Sequence, residues 1–232
     1  MATKHINAPS SSFSFQCISV GSEYDMRFLY CACAISYILD DWGGIDKQKA
    51  IQYIRNCRSF DGGISLIPGQ EGHGGSTFCA VASLTLMEEL DTVLGNEDNA
   101  SNLSSWRGDL IRWCVSRQVK GLQGRPNKYE DTCYSYWIGG TLRLLNCDNL
   151  LNRNLLDDFV LQCQTDLGGF SKLNGGYHPD QLHSFYSLAW LSLSHKRYGG
   201  QNTENRGDDL NLKPFDCALG ICCERLEFIK SL

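Results

Sequence analysis

The sequence predicts an all-α protein arranged as an α/α barrel, or toroid, of repeated helical hairpins. Segments with the apolar periodicity of helices alternate along the chain with glycine-rich loops. The alternating β-branched pattern of strands is nearly absent, so a sheet is not expected. Apolar helices with similar first residues recur about every 50 residues, a spacing typical of helical hairpin repeats.

The elements are expected in a regular order along the chain. The first 21 residues are polar and lack periodicity, so we expect disorder there, and residues 22–232 are expected to form the barrel domain. Apolar helices are predicted at 25–40, 77–90, 132–145 and 182–193, amphipathic helices at 46–58, 103–119 and 154–163, glycine-rich loops at 60–75 and 167–179, a polar insertion at 196–209, and a last helix at about 214–229.

The apolar helices are expected to form the inner wall. A helix that is apolar on most sides must be buried on most sides, and the amphipathic helices would cover these inner helices from outside. Equivalent positions at the starts of the inner helices should then face one mouth of the barrel. The polar residues at those positions are Arg27, His73, Asp131, Cys133, Tyr134 and His183. Polar groups at a rim above an apolar cavity suit a ligand with a polar head and an apolar tail.

The composition excludes some functional classes. The chain has 232 residues, of which 42% are hydrophobic, and a net charge of −5, which argues against a general nucleic-acid binder. Its 12 cysteines are scattered and no signal peptide is recognised at the N-terminus, so reduced thiols and a cytoplasmic location are expected. No apolar stretch is long enough to span a bilayer, so no stable membrane insertion is expected.

Three rim residues form a candidate metal site. Asp131, Cys133 and His183 offer one oxygen, one sulfur and one nitrogen, and zinc accepts all three ligand types. Three protein ligands leave a fourth position open, which is typical of a catalytic zinc site. The alternative is that Asp131 is a helix N-cap and Cys133 a buried apolar residue. The metal interpretation predicts that the three ligand atoms converge within bridging distance.

A second group of rim residues could hold an anion. Arg125, Lys128 and His73, with Tyr134, supply the donors that would clamp a diphosphate. The alternative for this stretch is a solvated basic loop. Four aromatic residues lie within the inner helices, where they would line a cavity or simply fill the core: Tyr30, Phe78, Trp137 and Tyr186.

Three motifs resemble those of the protein prenyltransferase β subunits. Residues 124–137, from Gly-Arg-Pro-Asn-Lys to Asp-Thr-Cys-Tyr-Ser-Tyr-Trp, resemble that family's zinc and diphosphate motif. Residues 73–79 and 168–183 resemble its other two signatures, and the resemblance covers about residues 24–193. Lys172 favours the geranylgeranyltransferase type I subfamily, because the farnesyl and Rab-type relatives carry an Asp near this point. An ammonium there would neutralise diphosphate directly, which implies that Mg²⁺ is not required.

The resemblance implies a role for each matching residue. Asp131, Cys133 and His183 would bind one Zn²⁺ per β subunit. The remaining matches concern substrate: His73, Arg125, Lys128 and Tyr134 with Lys172 for the diphosphate, Arg27, Cys79 and Trp137 for the isoprenoid, and Phe28 and Leu182 near the C-terminal residue of the acceptor peptide.

The resemblance also implies an activity and partners. A family member of type I transfers a geranylgeranyl group from geranylgeranyl diphosphate to the Cys of a C-terminal Cys-a-a-X motif, often with Leu at X. The acceptors are proteins such as small GTPases, and the β subunit forms a heterodimer with an α subunit. Zinc would supply the acceptor thiol as a thiolate at neutral pH.

The N-terminal part departs from the family pattern. Family members are considerably longer there, and residues 1–21 do not match them, so the expectation is an incomplete barrel with an exposed apolar flank. A non-catalytic form that binds the α subunit or sequesters prenyl substrate is therefore the alternative function. A terpene-cyclase-like toroid is disfavoured, because nothing resembles the acidic protonation motif of those enzymes.

Overall fold

In the part of the chain that the structure describes, four helices stand side by side as the inner layer. The computed structural model describes residues 24–95, 105–195 and 212–231. The inner helices are α1 (Met26–Leu39), α3 (Gly74–Leu86), α6 (Thr132–Leu144) and α8 (Gln181–His195). Each packs against the next in the order α1, α3, α6, α8, so they form an arc of the predicted toroid.

The first residue of each repeat fixes where its inner helix begins. Asp25, His73 and Asp131 are N-caps whose side chains accept a backbone N–H two residues later. Asp180 accepts the backbone N–H of His183 in the same way, at 2.9 Å. Each cap satisfies a donor that the first helical turn would otherwise leave without a partner. The repeat predicted from the sequence is therefore a repeat of capped helix starts.

Amphipathic helices cover this arc from outside. They are α2 (Lys47–Asn56), α5 (Trp106–Val115) and α7 (Arg153–Gln162), joined by a short α4 (Leu90–Leu94) and a 3₁₀ turn (Asp148–Leu150). Helix α7 packs on both α6 and α8, and α5 packs on α6. The predicted face of α2 is correct, since Ala50, Ile51 and Ile54 are all buried.

The apolar core lies between the two layers. Its largest fully buried residues include Phe78, Leu84, Tyr136 and Ile138, all from inner helices. Helices α6 and α8 approach so closely that a Cβ atom on Gly139 would lie 2.4 Å from Cζ3 of Trp190. This position therefore requires glycine.

The C-terminal part differs from the predicted helix at 214–229. Residues Phe215–Asp216 (β1) and Ile221–Cys222 (β2) form a short antiparallel hairpin, and α9 spans only Cys223–Lys230. The expectation of a protein without a sheet is wrong to this extent. Two causes break the helix: Gly220 adopts a positive φ of 71°, and the Asp216 carboxylate accepts the N–H of Leu219 to close the turn.

This hairpin and α9 reach across the arc. Strand β1 contacts α8, and α9 contacts α1. The Tyr30 hydroxyl donates to the carbonyl of Ala218 at 2.8 Å, and the Tyr136 hydroxyl donates to that of Cys217 at 3.0 Å. The C-terminal segment, defined as residues 212–231, thus connects the two ends of the arc.

Some expectations concern residues outside the described ranges. The segment expected to be disordered and the polar insertion at 196–209 fall there, as does the N-terminal domain boundary. Among the helices of the described ranges, none has the length and apolar character needed to cross a membrane.

Candidate metal and anion site

The three predicted metal ligands converge at the rim. One ligand atom from each of Asp131, Cys133 and His183 lies within 4.8 Å of the other two. Nε2 of His183 lies 3.2 Å from Oδ1 of Asp131. Ligands of a tetrahedral zinc ion at bonds of about 2.0–2.3 Å are separated by about 3–4 Å. The three atoms therefore converge as a metal site requires, and their oxygen, nitrogen and sulfur donor set is one that zinc accepts.

The alternative interpretation of Asp131 and Cys133 is correct at the same time. Oδ1 of Asp131 accepts the backbone N–H of Cys133 at 3.0 Å, and both residues are buried, at 7% and 8% exposure. The second carboxylate oxygen lies 3.7 Å from Nζ of Lys172. Capping the helix and binding a metal are compatible, because the carboxylate has acceptor sites for both.

Asp180 orients His183 and was missed by the sequence analysis as a site residue. Its Oδ2 lies 2.6 Å from Nδ1 of the His183 ring. Hydrogen bonds from the His183 backbone and then from its ring lower the pKa of Asp180. Because Nδ1 is engaged, Nε2 is turned towards Asp131, as in the carboxylate–histidine pairs that support metal ligands. A carboxylate three residues before a candidate ligand histidine at a helix start is the sequence signal that indicates such a role for Asp180.

The Cys133 thiol is strongly held in its protonated form by the protein alone. Burial raises its pKa well above the usual range, and the neighbouring Asp131 carboxylate raises it further. A divalent cation between these groups would reverse both effects, because a coordinating thiol is deprotonated. The electrostatics of the protein therefore disfavour a bare thiolate and favour one paired with a cation.

Backbone contacts bring the two halves of the metal site together. Thr132, the first residue of α6, donates its N–H to the carbonyl of Lys172 and its hydroxyl to that of Ser171. These two residues belong to the loop that leads into α8 and His183. The loop is thus fixed to the start of α6, which sets the distance between His183 and the other two ligands.

His73 and Tyr134 form the first part of the anion group. Nδ1 of His73 accepts the N–H of Gly75 at 3.1 Å, and its Nε2 lies 3.1 Å from the Tyr134 hydroxyl. Burial, and then the charge of Arg125, lowers the pKa of His73. The hydrogen bonds assign the neutral tautomer with its proton on Nε2. His73 therefore donates to the Tyr134 oxygen and leaves the hydroxyl proton of Tyr134 available to a ligand.

The two cations of the anion group, Arg125 and Lys128, have different environments. Gly74 donates to the carbonyl of Gly124 at 2.8 Å, which places the next residue, Arg125, beside His73. Arg125 and His73 line a cavity of about 350 Å³, in which Glu71 forms an ion pair with Arg125. Lys128 is exposed, and its ammonium makes no ion pair with any residue in the described ranges.

The aromatic residues form one connected group below the rim. The ring centroids of Trp137 and Tyr186 are 4.4 Å apart, those of Phe78 and Trp137 5.0 Å, and those of Tyr30 and Phe78 5.8 Å. Phe78 is fully buried and belongs to the core, whereas the other three are only partly buried. Trp137, Tyr186 and Tyr30 are therefore the members that a ligand could reach.

The remaining predicted substrate residues have different environments. Cys79 is buried, and burial raises the pKa of its thiol well above the usual range. Arg27 is exposed and bonds back to the Asp25 carboxylate, with Nη2 and Oδ2 2.6 Å apart. Phe28 is partly buried and Leu182 is exposed, at the starts of α1 and α8. The roles of these four residues remain predictions.

Comparison with known proteins gives a consistent family match. Residues 3–221 match the model of the prenyltransferase alpha-alpha toroid domain. The chain is 47% identical over 190 residues to the geranylgeranyl transferase type-1 subunit beta of Arabidopsis thaliana. The aligned region covers 81% of this chain and 50% of that protein. It is 41% identical over 172 residues to the Dictyostelium discoideum protein of the same name, covering 74% of this chain and 46% of that protein.

A solved structure agrees with these matches. The Candida albicans protein geranylgeranyltransferase-I complexed with GGPP aligns with a TM-score of 0.73 and 29% identity, over 90% of this chain and 57% of that chain. The all-α toroid class predicted from the sequence is therefore confirmed. The chain spans about half the length of the curated relatives it matches.

Proposed function

Because this chain belongs to the family of the prenyltransferase alpha-alpha toroid domain, we propose that it is the β subunit of a protein geranylgeranyltransferase of type I. The observation that carries the proposal is the convergence of Asp131, Cys133 and His183 at the rim, beside a cation group. The two relatives described above bear the name of that subunit, and the aligned Candida albicans structure is a complex with GGPP. The substrates are geranylgeranyl diphosphate and a protein with a C-terminal Cys-a-a-X motif, such as a small GTPase.

Asp131, Cys133 and His183 would hold one Zn²⁺. When bound, zinc supplies a thiolate at neutral pH by lowering the pKa of the acceptor cysteine in the open fourth position. Asp180 keeps Nε2 of His183 turned towards Asp131, so that this nitrogen could be one of the three ligand atoms. Lys172, whose Nζ lies 3.7 Å from Oδ2 of Asp131, would add positive charge for the leaving group.

The proposed reaction is a single substitution at carbon. The acceptor sulfur forms a thioether with C1 of the isoprenoid, the C1–O bond breaks, diphosphate leaves, and the thiol proton passes to solvent. Arg125, Lys128 and Lys172 stabilise the developing negative charge, and the Tyr134 hydroxyl donates to it. Because Lys172 already supplies a cation, we expect no requirement for Mg²⁺.

The apolar part of the substrate would lie on the partly exposed aromatics beneath the rim. Trp137 on α6, with Arg27 on α1 and Cys79 on α3, is proposed to contact the isoprenoid. Phe28 and Leu182 are proposed to contact the C-terminal residue of the acceptor peptide. Apolar and aromatic walls with a few polar groups at one end are typical of sites for such ligands.

A non-catalytic role is the second candidate, and one observation favours it. Ile35 and Leu39 on α1 are 58% and 68% exposed, and Phe185 and Leu188 on α8 are also exposed. Inner helices of a closed barrel would bury these positions, so within the described ranges the cavity lacks part of its wall. A chain of this kind could bind an α subunit or sequester prenyl substrate without transferring it.

Co-expression with an α subunit separates the two candidates. The purified complex is analysed for zinc, and single-turnover transfer from geranylgeranyl diphosphate to a Cys-a-a-Leu peptide is measured. Bound zinc with transfer is the result expected of the enzyme, and transfer should be lost in C133A. Bound zinc without transfer would favour the non-catalytic form.

A further inference from the structure

One cation of the anion group, Arg125, is already paired with an anion from the protein itself. Nη1 of Arg125 pairs with Oε1 of Glu71. The two side chains are 41% and 47% exposed, so the pair lies at the mouth of its cavity and not in the core. Gln70, Glu71 and Arg125 line this cavity together with His73.

Glu71 holds Arg125 where the proposed diphosphate would bind. A guanidinium offers the same planar donors to a carboxylate and to a phosphate, so the two compete for one face of the side chain. Glu71 precedes His73 by two residues, and His73 and Tyr134 provide the neighbouring donors of the group. The carboxylate therefore lies inside the group of residues assigned to the diphosphate.

We propose that Glu71 is a positioning residue that acts as a competing anion on Arg125. In the empty site it keeps the guanidinium beside His73. When diphosphate binds, the carboxylate is displaced, and when diphosphate has to leave as product, Glu71 takes its place again. Glu71 thereby sets the affinity of the site for diphosphate and favours release of the product. This inference rests on the proposed function, because it requires Arg125 to bind the diphosphate.

The strength of the pair suits this role. An ion pair with both members this exposed is weak, so a diphosphate with several charges can displace it. Removing the Glu71 charge should therefore tighten diphosphate binding by about two- to fivefold at low salt. A residue that merely supported the fold of the loop would, on substitution, weaken binding, so the direction of the change separates the two roles.

The test is a double-mutant cycle measured with inorganic pyrophosphate. Binding to the purified full chain is measured by isothermal titration calorimetry for the unsubstituted protein, Glu71→Gln, Arg125→Gln and the double variant. Glutamine keeps the shape of the side chain and removes its charge. Glu224→Gln is the matched control, because it removes one negative charge from an exposed ion pair with Lys213 in the C-terminal segment.

The expected result is tighter binding by Glu71→Gln, no such gain in the Arg125→Gln background, and no change in Glu224→Gln. Unchanged or weaker binding by Glu71→Gln, or a gain that persists without Arg125, would overturn the role of Glu71 and leave the proposed function intact. If Arg125→Gln binds pyrophosphate as tightly as the unsubstituted chain does, the anion site itself is contradicted, and the role of Glu71 with it. The same conclusion follows if the unsubstituted chain does not bind pyrophosphate.

Discussion

At the scale of single residues, Asp180 offers a test of how the proposed metal site is supported. Asp180→Asn keeps an oxygen that can cap α8 but removes the charge that holds Nδ1 of His183. Loss of such a partner to a ligand histidine typically reduces metal affinity by about 10- to 100-fold. We expect a loss of this size for zinc, measured by competition with a chromophoric chelator.

The control for this prediction is Asp166→Asn, which changes an exposed carboxylate in the loop preceding α8. It should leave zinc affinity unchanged. Equal zinc affinity of Asp180→Asn and the unsubstituted chain would show that Asp180 has only a capping role.

His73 predicts a dependence of stability on pH. Burial and Arg125 hold the pKa of His73 below its ordinary value of 6.5. The folded state therefore binds fewer protons than the unfolded state, so the stabilisation is complete above pH 6.5 and is lost as pH falls through the lowered pKa. His73→Asn keeps a capping side chain but does not titrate, so its free energy of unfolding should fall less below pH 6.5.

Urea unfolding of both proteins at a series of pH values measures this difference. His178→Asn is the control, since His178 is exposed in the loop before α8 and lies outside the cap of α3. An unchanged profile in His73→Asn would mean that protonation of His73 does not disturb the cap of α3.

The site could be predicted in part from the sequence, for a reason visible in its residues. Asp131, Cys133 and His183 lie at repeat starts, and the repeat alone places such positions at one rim. Asp180 and Glu71 were missed because their roles depend on side-chain orientation across a few ångströms, which periodicity does not specify. The ion pair of Arg125 with Glu71 could not be predicted for the same reason.

At the scale of elements, the close contact of α6 and α8 limits the size of the side chain at position 139. Asp157 accepts the indole N–H of Trp190 at 2.8 Å, which limits how far Trp190 can move away from Gly139. Gly139→Ala should therefore lower the free energy of unfolding by about 1–3 kcal/mol through overpacking. This loss should outweigh the gain of up to about 1 kcal/mol that alanine usually brings to a helix.

Urea denaturation measures the effect, with Gly44→Ala as the matched control. A Cβ atom at Gly44 would meet nothing within 4 Å, so the free energy of unfolding of this variant should be close to that of the unsubstituted chain. If Gly139→Ala is equally stable, the packing of α6 on α8 is looser than described.

Helices could be predicted where apolar periodicity and a capping residue agree, as at Asp25 and Asp131. The C-terminal hairpin could not, because its turn forms locally at Asp216 and Gly220 but its position depends on tertiary partners. Tyr30 and Tyr136 lie far away in the sequence, and only the folded arc brings their hydroxyls to the carbonyls of residues 217 and 218.

At the scale of the whole molecule, the C-terminal segment should contribute to the stability of the arc. Tyr30→Phe combined with Tyr136→Phe removes two hydrogen bonds to this segment and leaves two carbonyls without these donors. We expect a loss of about 1–3 kcal/mol in the free energy of unfolding. Faster hydrogen exchange should be confined to residues 212–231 and their contacts.

Tyr129→Phe is the control, because this hydroxyl belongs to a highly exposed side chain. It should change neither stability nor exchange. A double variant as stable as the unsubstituted chain would show that the segment does not hold the two ends of the arc together.

We propose that Asp131, Cys133 and His183 form one metal site at this rim. The measurement that tests it most directly is the absorption spectrum of the full chain loaded with Co²⁺, with bound metal quantified. We expect one metal ion per chain and a thiolate-to-cobalt charge-transfer band that is absent in Cys133→Ser and increases when a Cys-a-a-Leu peptide is added. Absence of stoichiometric metal, or a band that persists in Cys133→Ser, would contradict it.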